Sequence, residues 1–114
     1  CEGLAYAHKK GIVHRDIKPA NILWEQSTQL VKVADFGVAT IATGYAGERA
    51  SVMQVTQTGQ TVGTPRYMAP EQIRGQQVDA RADVYSLGCM AFELFNGKPP
   101  FTANTPTELL SIHL

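Results

Sequence analysis

The side chains best suited to chemistry lie in two short sequences, HRDIKPAN from His14 and DFG from Asp35. Asp16 can accept a proton from an attacking hydroxyl, and Lys18 can place a positive charge beside an anionic group. Asn21 and Asp35 offer amide and carboxylate oxygens, which are ligands that Mg²⁺ prefers in proteins. This set suits phosphoryl transfer from a metal–nucleotide complex, because that reaction depends mainly on positioning and charge neutralisation.

The same two sequences resemble the protein kinase signatures H-R-D-x-x-x-x-N and D-F-G. Two further motifs follow in the family's order, APE at Ala69–Glu71 and DVYSLG at Asp83–Gly88. Lysine in the pattern Asp-x-Lys-x-x-Asn is similar to Ser/Thr-directed rather than tyrosine-directed kinases. The wording PEQIRG and VDARADVYSLGC looks most like bacterial members. The resemblance therefore implies a bacterial-type Ser/Thr protein kinase that uses Mg²⁺ and ATP.

The resemblance implies a role for each residue of this cluster. Asp16 and Lys18 would be catalytic, with Asp16 orienting the substrate hydroxyl and Lys18 contacting the transferred phosphate. Asn21 and Asp35 would hold Mg²⁺, and Leu23 would form part of the apolar floor under the adenine. The predicted cofactor-binding residues are thus Lys18, Asn21, Leu23 and Asp35. Structural alternatives remain open, since Asn21 could lead a strand, Asp35 could occupy a turn, and Leu23 could be a strand core residue.

Three more residues are implied to position the substrate or the catalytic loop. Thr64 would hydrogen-bond to Asp16 and Lys18, and a threonine at this place again favours Ser/Thr substrates. In the family, the counterpart of Glu71 pairs with an arginine of a later helix. The counterpart of Asp83 accepts hydrogen bonds from the backbone of the His-Arg-Asp loop. Asp83 could also cap the helix that follows it, and the two roles are compatible.

Arg15 makes the sequence similar to kinases that are controlled by phosphorylation of an activation loop. A guanidinium can bind a phosphate through two hydrogen bonds and thereby order a mobile segment. The expected loop is residues 38–62, which are rich in Gly, Ala, Thr, Ser and Gln. Its candidate sites are Ser51, Thr56, Thr58 and Thr61. Thr56 and Thr58 resemble the double-threonine loop of bacterial kinases and are preferred, the alternative being that they are solvated loop residues.

The three histidines are expected to have structural roles. In the family, the histidine matched by His14 packs beside the phenylalanine matched by Phe36, which couples the loop to the core. His8 and His113 are interpreted as ordinary helix residues. No spacing among the three suggests a zinc site.

The composition indicates a globular domain and disfavours binding of nucleic acid. The chain has 114 residues, of which 44% are apolar, enough for a core. Ten basic and ten acidic residues cancel, so no long-range field attracts nucleic acid or an anionic membrane. Two cysteines are too few for a disulfide framework and favour reduced thiols. We therefore expect a cytoplasmic location, which includes the cytoplasmic domain of a membrane-anchored kinase.

Helices and a hairpin are predicted to position the cluster. The chain begins within a helix that ends at Gly11. The predicted buried face of that helix consists of Cys1, Leu4, Ala5 and His8. The β-rich runs Ile22–Trp24 and Leu30–Val33 predict a hairpin. Asn21 precedes its first strand and Asp35 follows its second, so both should face one bound metal.

Further helices are predicted after the loop. One is short and spans 69–73, and another begins at Asp83 with the apolar stretch Val84–Phe95, which should form the buried axis of the domain. That stretch is shorter than a membrane span of about 20 residues and includes Glu93. A last helix begins within 106–114. The predicted fold class is α+β, a kinase-like fold represented by part of the mainly helical C-terminal lobe with a short β-hairpin at the active site.

Residues 1–114 are accordingly expected to be a partial protein kinase domain that lacks the N-lobe and the last helices, with no signal or transit peptide. The expected partners are proteins bearing Ser or Thr hydroxyls and, for autophosphorylation, a second kinase copy. One alternative is a pseudokinase that serves as an interaction module, against which the intact cluster argues. Another is that the 114 residues alone are inactive.

Overall fold

The computed structural model describes residues 2–36, 40–41 and 65–114. Its helices are α1 (Glu2–Lys9), α2 (Pro70–Ile73), α3 (Ala80–Asn96) and α4 (Pro106–Ile112). Its strands are β1 (Ile12–Val13), β2 (Ile22–Glu25), β3 (Leu30–Val33) and β4 (Thr40–Ile41), and 3₁₀ turns occupy Pro19–Asn21 and Pro65–Tyr67. This mixture confirms the predicted α+β class. Several residues named above lie outside the described residues, namely Cys1, Ser51, Thr56, Thr58, Thr61 and Thr64.

Helix α1 packs through a face that differs slightly from the predicted one. Leu4 and Ala7 are buried, whereas Ala5, which was expected on this face, is exposed. Residues 5 and 7 are both alanine, so the apolar pattern alone did not distinguish the buried one from the exposed one. The predicted end is confirmed: Gly11 has a left-handed φ of 72°, and its N–H donates to the carbonyl of His8 at 2.9 Å.

The predicted hairpin is present as an antiparallel pair of β2 and β3. Ile22 lies opposite Val33. The pairing continues for one more residue, because the N–H of Ala34 donates to the carbonyl of Asn21 at 2.8 Å. Asn21 and Asp35 are therefore brought to the same end of the hairpin.

A second two-stranded sheet joins β1 to β4. The strands are antiparallel, with Ile12 opposite Ile41 and Val13 opposite Thr40. Residues 40–41 were predicted to belong to the loop 38–62, and for these two residues the prediction is wrong. Two residues are too few to show the alternation by which a strand is predicted. The pairing places the chain after the DFG sequence beside the strand that leads into the HRD loop.

Helix α3 begins before Asp83. The carboxylate of Asp79 accepts a hydrogen bond from the N–H of Arg81 at 2.9 Å and caps the helix. The predicted start at Asp83, and the alternative of an N-cap role for it, are therefore wrong. Asp83 instead lies within the first turn and is fully buried. Gly97, at φ 69°, ends the helix.

Helix α3 is not the buried axis that its apolar sequence predicted. Its buried residues are small or polar, namely Ala82, Asp83, Ser86 and Cys89. Leu94 and Phe95 are 78% and 86% exposed. The prediction was wrong because apolar character alone does not say which faces are covered, and no element of the described ranges covers this side. None of the helices in the described part of the chain has the length and apolar character needed to cross a membrane.

Helix α4 packs on the 3₁₀ turn Pro65–Tyr67 and supports α3 through His113. The hydroxyl of Tyr85 and Nδ1 of His113 are 2.8 Å apart, and the imidazole meets the ring of Phe101 edge-on at 4.9 Å. Burial lowers the pKa of His113, which favours its neutral form. The interpretation of His113 as an ordinary helix residue is wrong, since it connects α4 to α3.

We predict that residues 1–114, produced as an isolated polypeptide, do not unfold in one sharp transition. Large apolar side chains of α3 and of the hairpin are exposed, among them Phe95 and Trp24, so the cost of ordering the chain is poorly offset. Thermal melts followed by far-UV circular dichroism and by calorimetry test this. A single transition with equal calorimetric and van't Hoff enthalpies would contradict the prediction.

Candidate active site

Asp83 anchors the loop that carries the HRD sequence. Its side chain is fully buried, and its Oδ2 accepts from the N–H of His14 at 2.9 Å while its Oδ1 accepts from the N–H of Arg15 at 2.8 Å. These are the backbone contacts that the kinase resemblance implied. Because an unpaired buried carboxylate is very costly, the loop and the carboxylate stabilise each other.

His8 completes the surroundings of this carboxylate. Its Nε2 lies 2.7 Å from Oδ2 of Asp83, and its side chain is 18% exposed. The interpretation of His8 as an ordinary helix residue is therefore wrong. The available signal was its position four residues after Leu4, on the buried face of α1, where an ionisable side chain requires a partner.

The backbone at Arg15 is left-handed, with φ 67°. A residue with a Cβ adopts this region only when its surroundings hold it there. Here the N–H of Arg15 donates to Asp83, and its carbonyl accepts from Nε2 of Gln72 at 2.8 Å. Asp35, another residue of the cluster, is also left-handed, with φ 61°. Two of the unusual backbone positions thus belong to the two signature sequences.

His14 connects the two signature sequences from within the core. It is fully buried, and its Nε2 lies 2.9 Å from the carbonyl oxygen of Ala34, which can only accept. Its Nδ1 accepts from the N–H of Asp16 at 3.2 Å. These contacts assign the proton to Nε2. The ring meets Phe36 edge-on, with centroids 4.7 Å apart, which confirms the predicted packing of His14 beside Phe36.

Asp16, Lys18 and Asn21 converge at the surface of the loop. Oδ2 of Asp16 lies 2.6 Å from Nζ of Lys18, and the two side chains are 31% and 27% exposed. The amide of Asn21 donates through Nδ2 to the carbonyl of Asp16 at 2.8 Å and to its Oδ2 at 3.2 Å. The 3₁₀ turn Pro19–Asn21 makes this contact possible by folding Asn21 back over Asp16. The carboxylate is thereby oriented and remains accessible to a substrate.

Asn21 and Asp35 lie at one end of the hairpin, and each carries a side-chain oxygen. Nδ2 of Asn21 is directed at Asp16, so its Oδ1 points the other way, and Asp35 is exposed. Within residues 2–36, 40–41 and 65–114, no cluster of three His, Cys, Asp or Glu side chains could hold a metal ion. One amide and one carboxylate nevertheless fit Mg²⁺, because this ion keeps water and phosphate oxygens among its ligands.

Leu23 and Glu71 are the remaining predicted site residues that the structure describes. Leu23 lies on β2 next to the site and is 51% exposed, so the alternative of a strand core residue is wrong. Glu71 is half-buried in α2, and among the described residues its carboxylate has no ion pair. Within the described part of the chain, no hydrogen bond or ion pair joins Glu71 to Asp16. Thr56, Thr58 and Thr64 lie outside the described residues.

The segment that precedes α2 is tied to α3 by polar side chains. The hydroxyl of Ser86 donates to the carbonyl of Tyr67 at 2.6 Å. The Tyr67 hydroxyl donates to the carboxylate of Glu93, and burial together with this carboxylate raises the pKa of Tyr67 to about 12. No role was predicted for Ser86, Glu93 or Gln72 from the sequence. Ser86 and Gln72 lie within the quoted sequences DVYSLG and PEQIRG, but their roles depend on partners that are distant along the chain, and the partner of Glu93 is distant as well.

Known protein kinases match this chain over nearly its whole length. The family described as "Protein kinase domain" matches residues 1–113. The chain is 47% identical over 114 residues to the serine/threonine-protein kinase PknB of Mycobacterium tuberculosis, which covers 100% of this chain and 17% of that protein. A probable serine/threonine-protein kinase of Streptomyces coelicolor is 47% identical over 113 residues, with coverages of 99% and 16%. The chain thus spans less than a fifth of the length of these relatives.

We predict that Asp83→Asn lowers the free energy of unfolding of the full-length protein's catalytic domain by about 2 kcal/mol, because one backbone N–H would then face an amide N–H₂ in place of a carboxylate oxygen. Urea unfolding measures this change. Asp79→Asn is the matched control, since it makes the same substitution on the same helix and Asn caps as well as Asp. Equal effects of the two substitutions would contradict the anchoring role.

Proposed function

The chain belongs to the protein kinase domain family, and from this membership we propose that the protein containing it transfers the γ-phosphate of Mg-ATP to Ser and Thr hydroxyls of proteins. The observation that carries the proposal is the fixed carboxylate of Asp16. It lies 2.6 Å from Nζ of Lys18 and 3.2 Å from Nδ2 of Asn21. Carboxylate, ammonium and amide are thus held together where a hydroxyl and a phosphate can approach.

Each residue has a defined part in the proposed transfer. Asp16 accepts a hydrogen bond from the substrate hydroxyl and aligns it for attack. Lys18 neutralises charge on the transferred phosphate. Asn21 and Asp35 hold Mg²⁺, which when bound neutralises the phosphate oxygens of the nucleotide. The exposed side chain of Leu23 provides apolar contact for the adenine.

Substrate selection is assigned to the segment around α2. Thr64 contacts Asp16 and Lys18 in this proposal, which favours the small hydroxyl side chains Ser and Thr over Tyr. Glu71 positions the segment through an arginine of a later helix. The proposed partners are therefore proteins with accessible Ser or Thr residues, and a second kinase copy for autophosphorylation. A cytoplasmic location, which includes the cytoplasmic domain of a membrane-anchored kinase, belongs to the same proposal because ATP is available there.

We also propose that phosphorylation of Thr56 or Thr58 regulates the enzyme through Arg15. Nε of Arg15 is buried and has no hydrogen-bond partner among the described residues. A buried guanidinium N–H without an acceptor is unfavourable, and a phosphate oxygen would supply that acceptor. Binding of the phosphate would thereby connect the order of the loop to the residue next to Asp16.

We predict that Asp16→Asn and Asp35→Asn each reduce phosphate transfer by the full-length protein at least about 100-fold, because Asp16 would no longer present a carboxylate to the substrate hydroxyl and Asp35 would no longer present one to Mg²⁺. Transfer of labelled phosphate from ATP to a generic Ser/Thr protein substrate, with and without Mg²⁺, measures this. Asp79→Asn, at the exposed cap of α3, serves as control and should leave the rate unchanged. Retained activity in a pure preparation of Asp35→Asn would refute the metal assignment.

We predict that full-length protein incubated with Mg-ATP carries phosphate on Thr56 or Thr58, and that Arg15→Gln removes most of the resulting activation. Phosphopeptide mapping by mass spectrometry and rate measurements before and after phosphatase treatment test both statements. Arg81→Gln, which changes an exposed arginine of α3, is the matched control. An active enzyme whose loop is unmodified would refute the regulatory proposal.

A further inference from the structure

Gln72 is a buried amide that joins two segments distant in the sequence. It is 7% exposed and lies in α2. Its Oε1 accepts from the N–H of Ala69 at 3.1 Å, at the start of its own helix. Its Nε2 donates to the carbonyl of Arg15 at 2.8 Å, across 57 positions of the sequence. Both ends of the amide are therefore used, one on each segment.

The carbonyl that Gln72 binds belongs to the peptide plane immediately before Asp16. That plane is rigid, because the peptide bond is planar. Its oxygen accepts from Gln72, and its N–H, on Asp16, donates to Nδ1 of His14 at 3.2 Å. The plane is thus held from both sides. Rotation of this plane changes ψ of Arg15 and φ of Asp16, so loss of either contact would free the plane to rotate and would reorient Asp16.

We propose that Gln72 is a positioning residue for phosphoryl transfer, which orients Asp16 by holding the Arg15 carbonyl. This inference rests on the proposed kinase function. Ala69 ends the segment 65–69, whose residues Tyr67 and Met68 lie with Arg15 and Asp16 around a small cavity that Gln72 also lines. A shift of this segment moves Ala69, hence Gln72 and the peptide before Asp16. Through the Gln72 amide, the orientation of the Asp16 carboxylate therefore depends on the position of residues 65–69.

A simpler role for Gln72 would be to stabilise the start of α2. Glutamine and glutamate serve equally at this position of a helix, where the side-chain oxygen accepts from the first N–H. Gln72→Glu would preserve that acceptor. It would replace the donor toward Arg15 by a carboxylate oxygen that repels the carbonyl. When protonated, the introduced carboxyl could donate again, so the two roles predict different dependences on pH.

The test measures kcat and KM of the full-length protein for Gln72→Glu and Gln72→Met between pH values of about 6 and 8.5, a range in which a buried carboxyl can titrate. At the upper pH, we expect Gln72→Glu to lower kcat about tenfold, with KM for ATP nearly unchanged. The ratio of its kcat to that of the wild type should rise as the pH falls, since burial and the carbonyl raise the pKa of the introduced carboxyl. Gln72→Met should lose a similar factor at every pH.

Gln76→Glu is the matched control, because it adds the same charge at an exposed position close to the end of α2. Its kcat ratio to the wild type should stay near one at all pH values. An unchanged kcat in Gln72→Glu, or equal and pH-independent losses in both Gln72 variants, would overturn the positioning role. An inactive wild type would overturn the proposed function and this inference with it, whereas an active wild type with unaltered variants would overturn the role of Gln72 alone.

Discussion

The geometry of the site depends on one buried carboxylate, that of Asp83. Its burial is unfavourable unless its oxygens are fully used, and the strained turn at Arg15 supplies two backbone N–H groups that no helix or strand would satisfy. The carboxylate of Asp83 and the two backbone N–H groups therefore satisfy each other's hydrogen-bonding requirements. His8 supplies a third contact from α1, so the first helix, the catalytic loop and α3 meet at the same two oxygen atoms.

Directional polar contacts, in addition to apolar packing, determine how the segments around the site fit together. Asp83 and Ser86 of α3 and Gln72 of α2 each bind backbone groups of segments that lie outside the α-helices and β-strands. The side chains buried on α3 are small, which lets these segments approach it closely. Apolar contacts would tolerate sliding by a few tenths of an ångström, whereas a hydrogen bond to a particular carbonyl selects one backbone orientation. In the proposed transfer, such selection matters because the carboxylate of Asp16 must face the substrate hydroxyl.

Sequence patterns predicted those parts of the structure that depend on neighbours along the chain. The hairpin followed from two β-rich runs, and the helix stop at Gly11 followed from glycine's tolerance of positive φ. Prediction failed where the deciding neighbour is remote. The start of α3 was misplaced because Asp79 and Asp83 are both acidic and only the fold distinguishes a cap from a buried anchor. Gln72 was missed for the same reason, since its partner is 57 positions away.

The ion pair between Asp16 and Lys18 is better understood as orientation than as a source of stability. Both side chains are close to one third exposed, so solvent screens their attraction and the pair contributes little to folding. The same exposure leaves both groups open to reacting atoms. Asn21 restricts the orientation of the exposed Asp16 side chain, because its amide donates to both the backbone carbonyl and the carboxylate of Asp16. The site thus combines buried, hydrogen-bonded contacts beneath the HRD loop with a solvent-accessible surface, which suits the proposed phosphoryl transfer because that reaction depends mainly on positioning.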